Sequence, residues 1–129
     1  MSGRAVIDAS AAVDVLQRNE RAGRVEAVLA GYDLAAPAHI DVEVLSALHR
    51  GVRSGADTMT RMLMRLSLWR SWPIERAGIA DLLPSAAVMA ASVAIPDTFY
   101  IALAEHLDAP LITCDRGMAA SSHRAILVS

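Results

Sequence analysis

Apolar positions along the chain fall into two rhythms. Short stretches of strand length, Arg4 to Ile7, Leu34 to Ala36, Pro73 to Arg76, Pro110 to Thr113 and Ala125 to Val128, alternate with longer segments whose apolar residues recur at helical spacing. The second rhythm predicts helices over Ala11 to Leu16, Arg21 to Ala30, about Asp41 to Val52, Thr58 to Trp72, within Ile79 to Val93 and over Thr98 to Leu107, with a short helical turn near Met118. Pro37 ends the second strand. Short apolar strands separated by helices imply an α/β fold, with a central, mostly parallel sheet covered on both faces. In open sheets of this kind ligands bind beyond the carboxyl ends of the strands.

Two strands deliver an acid to that edge, "AVID" ending in Asp8 and "PLITCD" in Asp115. Asp97 falls in the first turn of the helix whose apolar face runs Phe99, Leu103, Leu107. Glu43 lies near the start of another helix, with the small residues Ser46 and Ala47 one turn on and Arg50 beyond them on the same side. Asp8, Ser10, Asp97 and Asp115 could equally be helix N-caps, a role that favours Asp and Ser, although none has the Glu or Gln three residues on that completes a capping box. Glu43 resists that reading, because an acid among Val42, Val44 and Leu45 is costly to bury unless it is paired or bound to something.

Four carboxylates gathered at one edge raise one another's pKa, and a divalent cation resolves the conflict. With oxygen donors alone and no Cys or His at ligand spacing, the pattern points to Mg²⁺ or Mn²⁺, and so to metal-assisted hydrolysis of a phosphodiester. Asp41 reads as the cap of the Glu43 helix or as a support for the site. Asp14 and Glu105 read as solvated helix positions, and His39, His49, His106 and His123 as residues outside the chemistry.

Charge narrows the ligand further. A net charge of −2 by itself disfavours nucleic acid. Yet all 12 basic residues are arginine, whose planar fork suits phosphate. Committing four acids to a metal turns −2 into +2 for the remainder. At 129 residues the chain suits a single domain, residues 1–129. Its one cysteine, Cys114, cannot close an internal disulfide and the start MSGRAV lacks a secretory signal, so the cytoplasm is the expected compartment. Hydrophobic residues reach 54%, but the best candidate span, Pro84 to Pro96, is too short and bounded by prolines, so no membrane is expected.

The acids and their surroundings resemble the PIN-domain family, and within it the VapC-type toxins of toxin–antitoxin operons. "VIDASAAVDVL" surrounds the first acid, "APAHIDVEVLSALHR" the second, and "DTFYIALAEHLDAPLITCD" the third and fourth, in the family's order over nearly the whole chain. The resemblance implies a PIN-like three-layer sandwich, a Mg²⁺- or Mn²⁺-dependent endoribonuclease, a homodimer, and silencing by a cognate VapB-like antitoxin. Carried over position by position, it makes Asp8, Glu43, Asp97 and Asp115 the catalytic acids and metal ligands, with Glu43 binding directly or through water, and sets Ser10 and Thr113 beside them in support. Some relatives carry a further acid or Asn just after the last aspartate. Here Arg116, Gly117 and Met118 follow, which bears on whether a second metal binds. Arg50, Arg53 and Arg116 are the expected contacts to the RNA backbone.

The helix around "TMTRMLMRLSLW" carries one apolar stripe of Met59, Met62, Leu63, Leu66 and Trp69 and a second of Met64, Leu68 and Trp72, together wider than one core contact needs. The second stripe is either core or a groove for the antitoxin, since Met-rich surfaces adapt well to partners. Two other folds that gather aspartates at strand ends fit poorly. A phosphoacceptor receiver needs a lysine, which this chain lacks, and a haloacid-dehalogenase-type phosphatase needs an Asp where Ser10 stands. The remaining alternative is a non-catalytic PIN-like module that binds RNA or protein.

Overall fold

Ala5, Val6 and Ile7 are consecutive and completely buried, which in a strand requires cover on both faces. They belong to β1 (Gly3–Ile7), the middle strand of a five-stranded sheet in the computed structural model, which describes residues 3–129. The other strands are β2 (Tyr32–Pro37), β3 (Ile74–Ala77), β4 (Leu111–Thr113) and β5 (Ala125–Leu127), in the spatial order β3-β2-β1-β4-β5. Every pairing is parallel, so the sheet is wholly rather than mostly parallel. Val6 sits between Ala35 of β2 and Leu111 of β4.

The helices are α1 (Ala9–Gln17), α2 (Ala22–Leu29), α3 (Ile40–Arg53), α4 (Met59–Ser71), α5 (Leu83–Met89), α6 (Ile95–Leu107) and α7 (Arg116–Ser121). Right-handed crossovers place α1 to α4 on one face and α5 to α7 on the other. The packing agrees, with α1 against α2, α3 and α4, and α5 against α6. Thr98 through Ala104 of α6 are all buried, as befits a helix covered on every side. From β1 the chain builds outward to β2 and β3, then returns to the other side of β1 for β4. The carboxyl ends of β1 and β4 therefore flank the crevice where a parallel sheet receives its ligand.

Several local expectations shift. Helix α6 begins at Ile95 rather than Thr98, because Pro96 fits a helix's first turn, where its missing N–H costs nothing. Within Ile79 to Val93 only Leu83–Met89 is α-helical, preceded by a 3₁₀ turn at Ala80–Leu82. Asp41 does not cap α3; His39 holds that position, without a side-chain bond. The Asp41 carboxylate instead accepts from Trp69 Nε1 at 2.7 Å and from Arg76 Nη2 at 2.9 Å. Burial alone would raise its pKa, but the Arg76 and Trp69 bonds outweigh that and hold it low.

Helix α4 divides its apolar residues differently from the two expected stripes. Met62 and Trp69 are buried and Leu66 is half-buried, but Met59 and Leu63 of the same stripe face solvent. Met64 and Leu68 are 63% and 61% exposed, while Trp72 is half-buried with its ring centroid 5.8 Å from that of Trp69. Among the described residues no helix is long and apolar enough to cross a membrane.

Candidate active site

Asp8 follows β1 directly and is only 3% exposed. Its Oδ1 accepts from the Ala11 backbone N–H at 3.0 Å, which caps α1, and from Ser10 Oγ at 2.7 Å. Its Oδ2 accepts from Thr113 Oγ1 at 2.5 Å. Thr113, fully buried at the end of β4, in turn accepts from the Asp115 N–H at 3.0 Å, and Ser10 Oγ accepts from the Cys114 N–H at 3.0 Å. Two hydroxyls thus lace the ends of β1 and β4 together around one carboxylate. Burial pushes the Asp8 pKa up to about 6, with Asp115 adding to the rise and the bonds from Thr113, Ala11 and Ser10 opposing it.

Asp115 also caps a helix, accepting from the Gly117 N–H at 3.0 Å, and remains exposed. For Asp8 and Asp115, then, capping and membership of an acidic site are not alternatives. Ser10 and Asp97 cap nothing. Asp97 occupies the first turn of α6, half-buried; burial raises its pKa, the charges of Asp115 and Glu43 raise it further, and His39 opposes them. Glu43, in the first turn of α3, accepts at Oε1 from the Tyr100 hydroxyl at 2.6 Å.

Asp8, Glu43, Asp97 and Asp115 line one pocket of about 450 Å³, together with Ser10, Ser46, Ala47 and Arg50. Among the described residues no three Asp, Glu, His or Cys side chains already stand close enough to grip an ion. The four carboxylates instead surround a space that suits a cation retaining several waters. Asp115 raises the pKa of both Asp8 and Asp97, so the pocket carries uncompensated negative potential. Oxygen donors in such a field fit a hard divalent cation. Cys114 is buried, and burial, reinforced by Asp14, pushes its thiol up to about 12, away from the reactive thiolate.

Of the arginines expected to touch RNA, Arg50 lines the pocket, Arg53 is exposed at the end of α3, and Arg116 opens α7 beside Asp115. Among the described residues none of the three forms an ion pair, whereas Arg4, Arg18, Arg21, Arg61, Arg65, Arg76 and Arg124 all do. Leu68 and Trp72 line a second, larger pocket of about 780 Å³ between α1, α2 and α4, with Leu29 of α2 and an Arg18–Glu26 ion pair at its margin; Met64 lies outside it.

Three residues near the site escaped the pattern. Asp14 is buried rather than solvated, paired with Arg21 at 2.8 Å and with Asn19, and it too borders the acidic pocket. Its partners reach it because Arg18 adopts a left-handed conformation (φ 54°) and turns the chain back. Tyr100 is buried and touches Glu43, a placement hinted at by its position one turn after Asp97. His39 is no bystander, since its Nε2 lies 3.6 Å from Glu43 Oε1. The pair has the i,i+4 spacing that makes side chains neighbours on a helix, so the contact was open to a sequence reading that placed His39 at the start of α3.

The PIN domain profile matches residues 5–122, and the chain belongs to the PIN-domain family. Nucleases of this family generally depend on a divalent metal. Within it the chain is similar to Ribonuclease VapC3 of Mycobacterium tuberculosis, 41% identical over 115 residues, which cover 88% of this chain and 84% of the relative. It is also similar to Ribonuclease VapC12 of Mycobacterium tuberculosis, 36% identical over 118 residues, covering 92% and 91% respectively. In fold it matches a toxin–antitoxin complex from Klebsiella pneumoniae with a TM-score of 0.68 at 18% identity, over 97% of this chain and 98% of that one.

Proposed function

We propose that the protein is the toxin of a toxin–antitoxin pair, an endoribonuclease that cleaves RNA in the cytoplasm until a cognate VapB-like antitoxin silences it. The observation that carries this reading is the convergence of four carboxylates, from four separate elements, on one pocket at the switch point between β1 and β4. Asp8, Asp97 and Asp115 would hold Mg²⁺ or Mn²⁺, with Glu43 binding directly or through water. A cation bound there supplies the charge that steadies the scissile phosphate and makes water acidic enough to attack near neutral pH.

The chain's own residues do the positioning. Ser10 and Thr113 fix the rotamer of Asp8 through both its oxygens. Ser46 and Ala47 keep one wall low enough for an RNA backbone, and the unpaired Arg50, Arg53 and Arg116 bind its phosphates. The active form is a homodimer. The antitoxin seats an apolar segment against Leu68 and Trp72 in the larger pocket, with Met64 at its outer edge.

The decisive experiment incubates antitoxin-free protein with total RNA and Mg²⁺ or Mn²⁺, beside EDTA and Asp97→Asn controls, and sequences the fragment ends. Discrete cuts with 5′-phosphate and 3′-hydroxyl ends, lost in both controls, are expected. Ends bearing 2′,3′-cyclic phosphate would refute water as the nucleophile. RNA left intact with both metals would refute the nuclease and favour the non-catalytic binding module.

A further inference from the structure

Glu43 and Asp97 face the same pocket from two helices that are not neighbours in sequence, and their charges repel. Left to themselves, the first turns of α3 and α6 would splay. Two contacts oppose this. The Tyr100 hydroxyl, on α6 one turn beyond Asp97, donates to Glu43 Oε1 on α3 at 2.6 Å. His39, the N-cap of α3, meets the Pro96 carbonyl on α6 through Nε2 at 2.9 Å, so that nitrogen carries the proton. The His39 ring also packs on the rings of Phe99 and Tyr100, with centroids 5.3 and 4.9 Å away.

We propose that Tyr100 and His39 are positioning residues that cross-tie α3 to α6, setting the separation of Glu43 and Asp97 and engaging Glu43 Oε1 so that Oε2 is the oxygen offered to the cation. The ties run in opposite directions, one from each helix to the other, so neither helix can rotate or withdraw without breaking one. Among the described residues Glu43 Oε2 accepts no hydrogen bond, whereas Oε1 has Tyr100 at 2.6 Å and His39 at 3.6 Å. Tyr100 borders the pocket, but its hydroxyl is committed to Glu43 Oε1, so it acts on a cation only through Glu43. Hydrogen-bond partners behind a metal's ligands commonly govern its affinity. This inference rests on the reading of the acids as a divalent-metal site.

The test is titration of the metal-free protein with Mn²⁺ alone, following free Mn²⁺ by electron paramagnetic resonance, with a thermal melt of each variant. Tyr100→Phe, which keeps the ring and removes only the tie, is expected to weaken Mn²⁺ binding about 10-fold. His39→Phe should weaken it similarly, and His39→Gln, whose amide nitrogen reaches the Pro96 carbonyl, should restore it. Ile101→Val, which thins a buried face of α6 away from the pocket, should leave binding unchanged. Wild-type affinity in Tyr100→Phe and His39→Phe would overturn the proposal, as would an equal loss in Ile101→Val, since that would trace the effect to general destabilisation. Full binding by Glu43→Gln would overturn this inference while leaving the other three acids as ligands, whereas absence of Mn²⁺ binding by the wild type would overturn the metal reading itself and this inference with it.

Discussion

Replacing Asp8 with asparagine should make the metal-free protein more stable while destroying its activity. In the folded chain the Asp8 pKa is raised from 3.8 to about 6, chiefly by burial. At about 1.4 kcal/mol per unit, ionising it at pH 7 costs the metal-free fold about 3 kcal/mol. Because the folded value lies above the unfolded one, the folded chain holds this proton more tightly. The resulting stability is fully present below about pH 4, shrinks as pH rises towards 6, and is gone above about pH 7.

Asparagine removes the charge and keeps the bonding. Its Oδ1 still accepts from Ala11 and Ser10, and its amide can donate to Thr113 Oγ1, whose own hydroxyl hydrogen turns to Ser10 Oγ at 3.4 Å. In EDTA at pH 7 the Asp8→Asn variant should therefore gain up to about 3 kcal/mol, a rise in Tm on the order of 10 °C for a chain of this size. Its advantage should fade as the pH falls to 4. Urea titrations of both proteins from pH 4 to 7 measure the effect. Adding Mn²⁺ should reverse the order, stabilising the wild type alone. A variant less stable than wild type in EDTA at pH 7 would refute the reasoning, because the lost carboxylate bonds would then outweigh the burial of charge.

Further outcomes follow from the same geometry. Thr113→Val, nearly isosteric and fully buried, should cost about 1–3 kcal/mol in urea titrations at pH 7, since it strips partners from Asp8 Oδ2 and the Asp115 N–H. Alanine at Arg50, Arg53 or Arg116 should weaken RNA binding regardless of sequence and lower the slope of log affinity against log salt by about 0.7 each, read from filter binding in Ca²⁺. Leu68→Glu should leave Tm nearly unchanged, because the side chain is 61% exposed, but weaken antitoxin binding more than about 10-fold by calorimetry. Aggregation of that variant would show Leu68 to be part of the core.

Elements that announce themselves locally were legible without coordinates. The strand Ala5 to Ile7 is buried on both faces, so it reads as apolar throughout, and the acids at the ends of β1 and β4 stand out against such runs. What escaped depends on partners from distant segments. Asp14 looks solvated until Arg18 turns the chain and brings Arg21 back to it. Asp41 looks like a cap until Trp69 and Arg76, 28 and 35 residues on, claim its oxygen. The position of Tyr100 one turn after Asp97 points it towards the site, but its partner, an acid 57 residues earlier, is set by how α3 and α6 meet. In α4 the periodicity showed too many apolar positions for one core contact, but which arc faced inward was settled only by α1 and α3 packing against it.

The bond from Thr113 to Asp8 spans 105 residues of chain. A pocket closed by such a contact is incomplete on a growing polypeptide: α1, α2 and α3 carry Asp8 and Glu43 out first, but Tyr100 and Asp97 come with α6, and Thr113 and Asp115 only with the end of β4. For a protein that destroys RNA, this order of assembly is a safeguard. A nascent chain that lacks β4 lacks a wall of the acidic pocket, so the site is whole only once β4 has folded against β1.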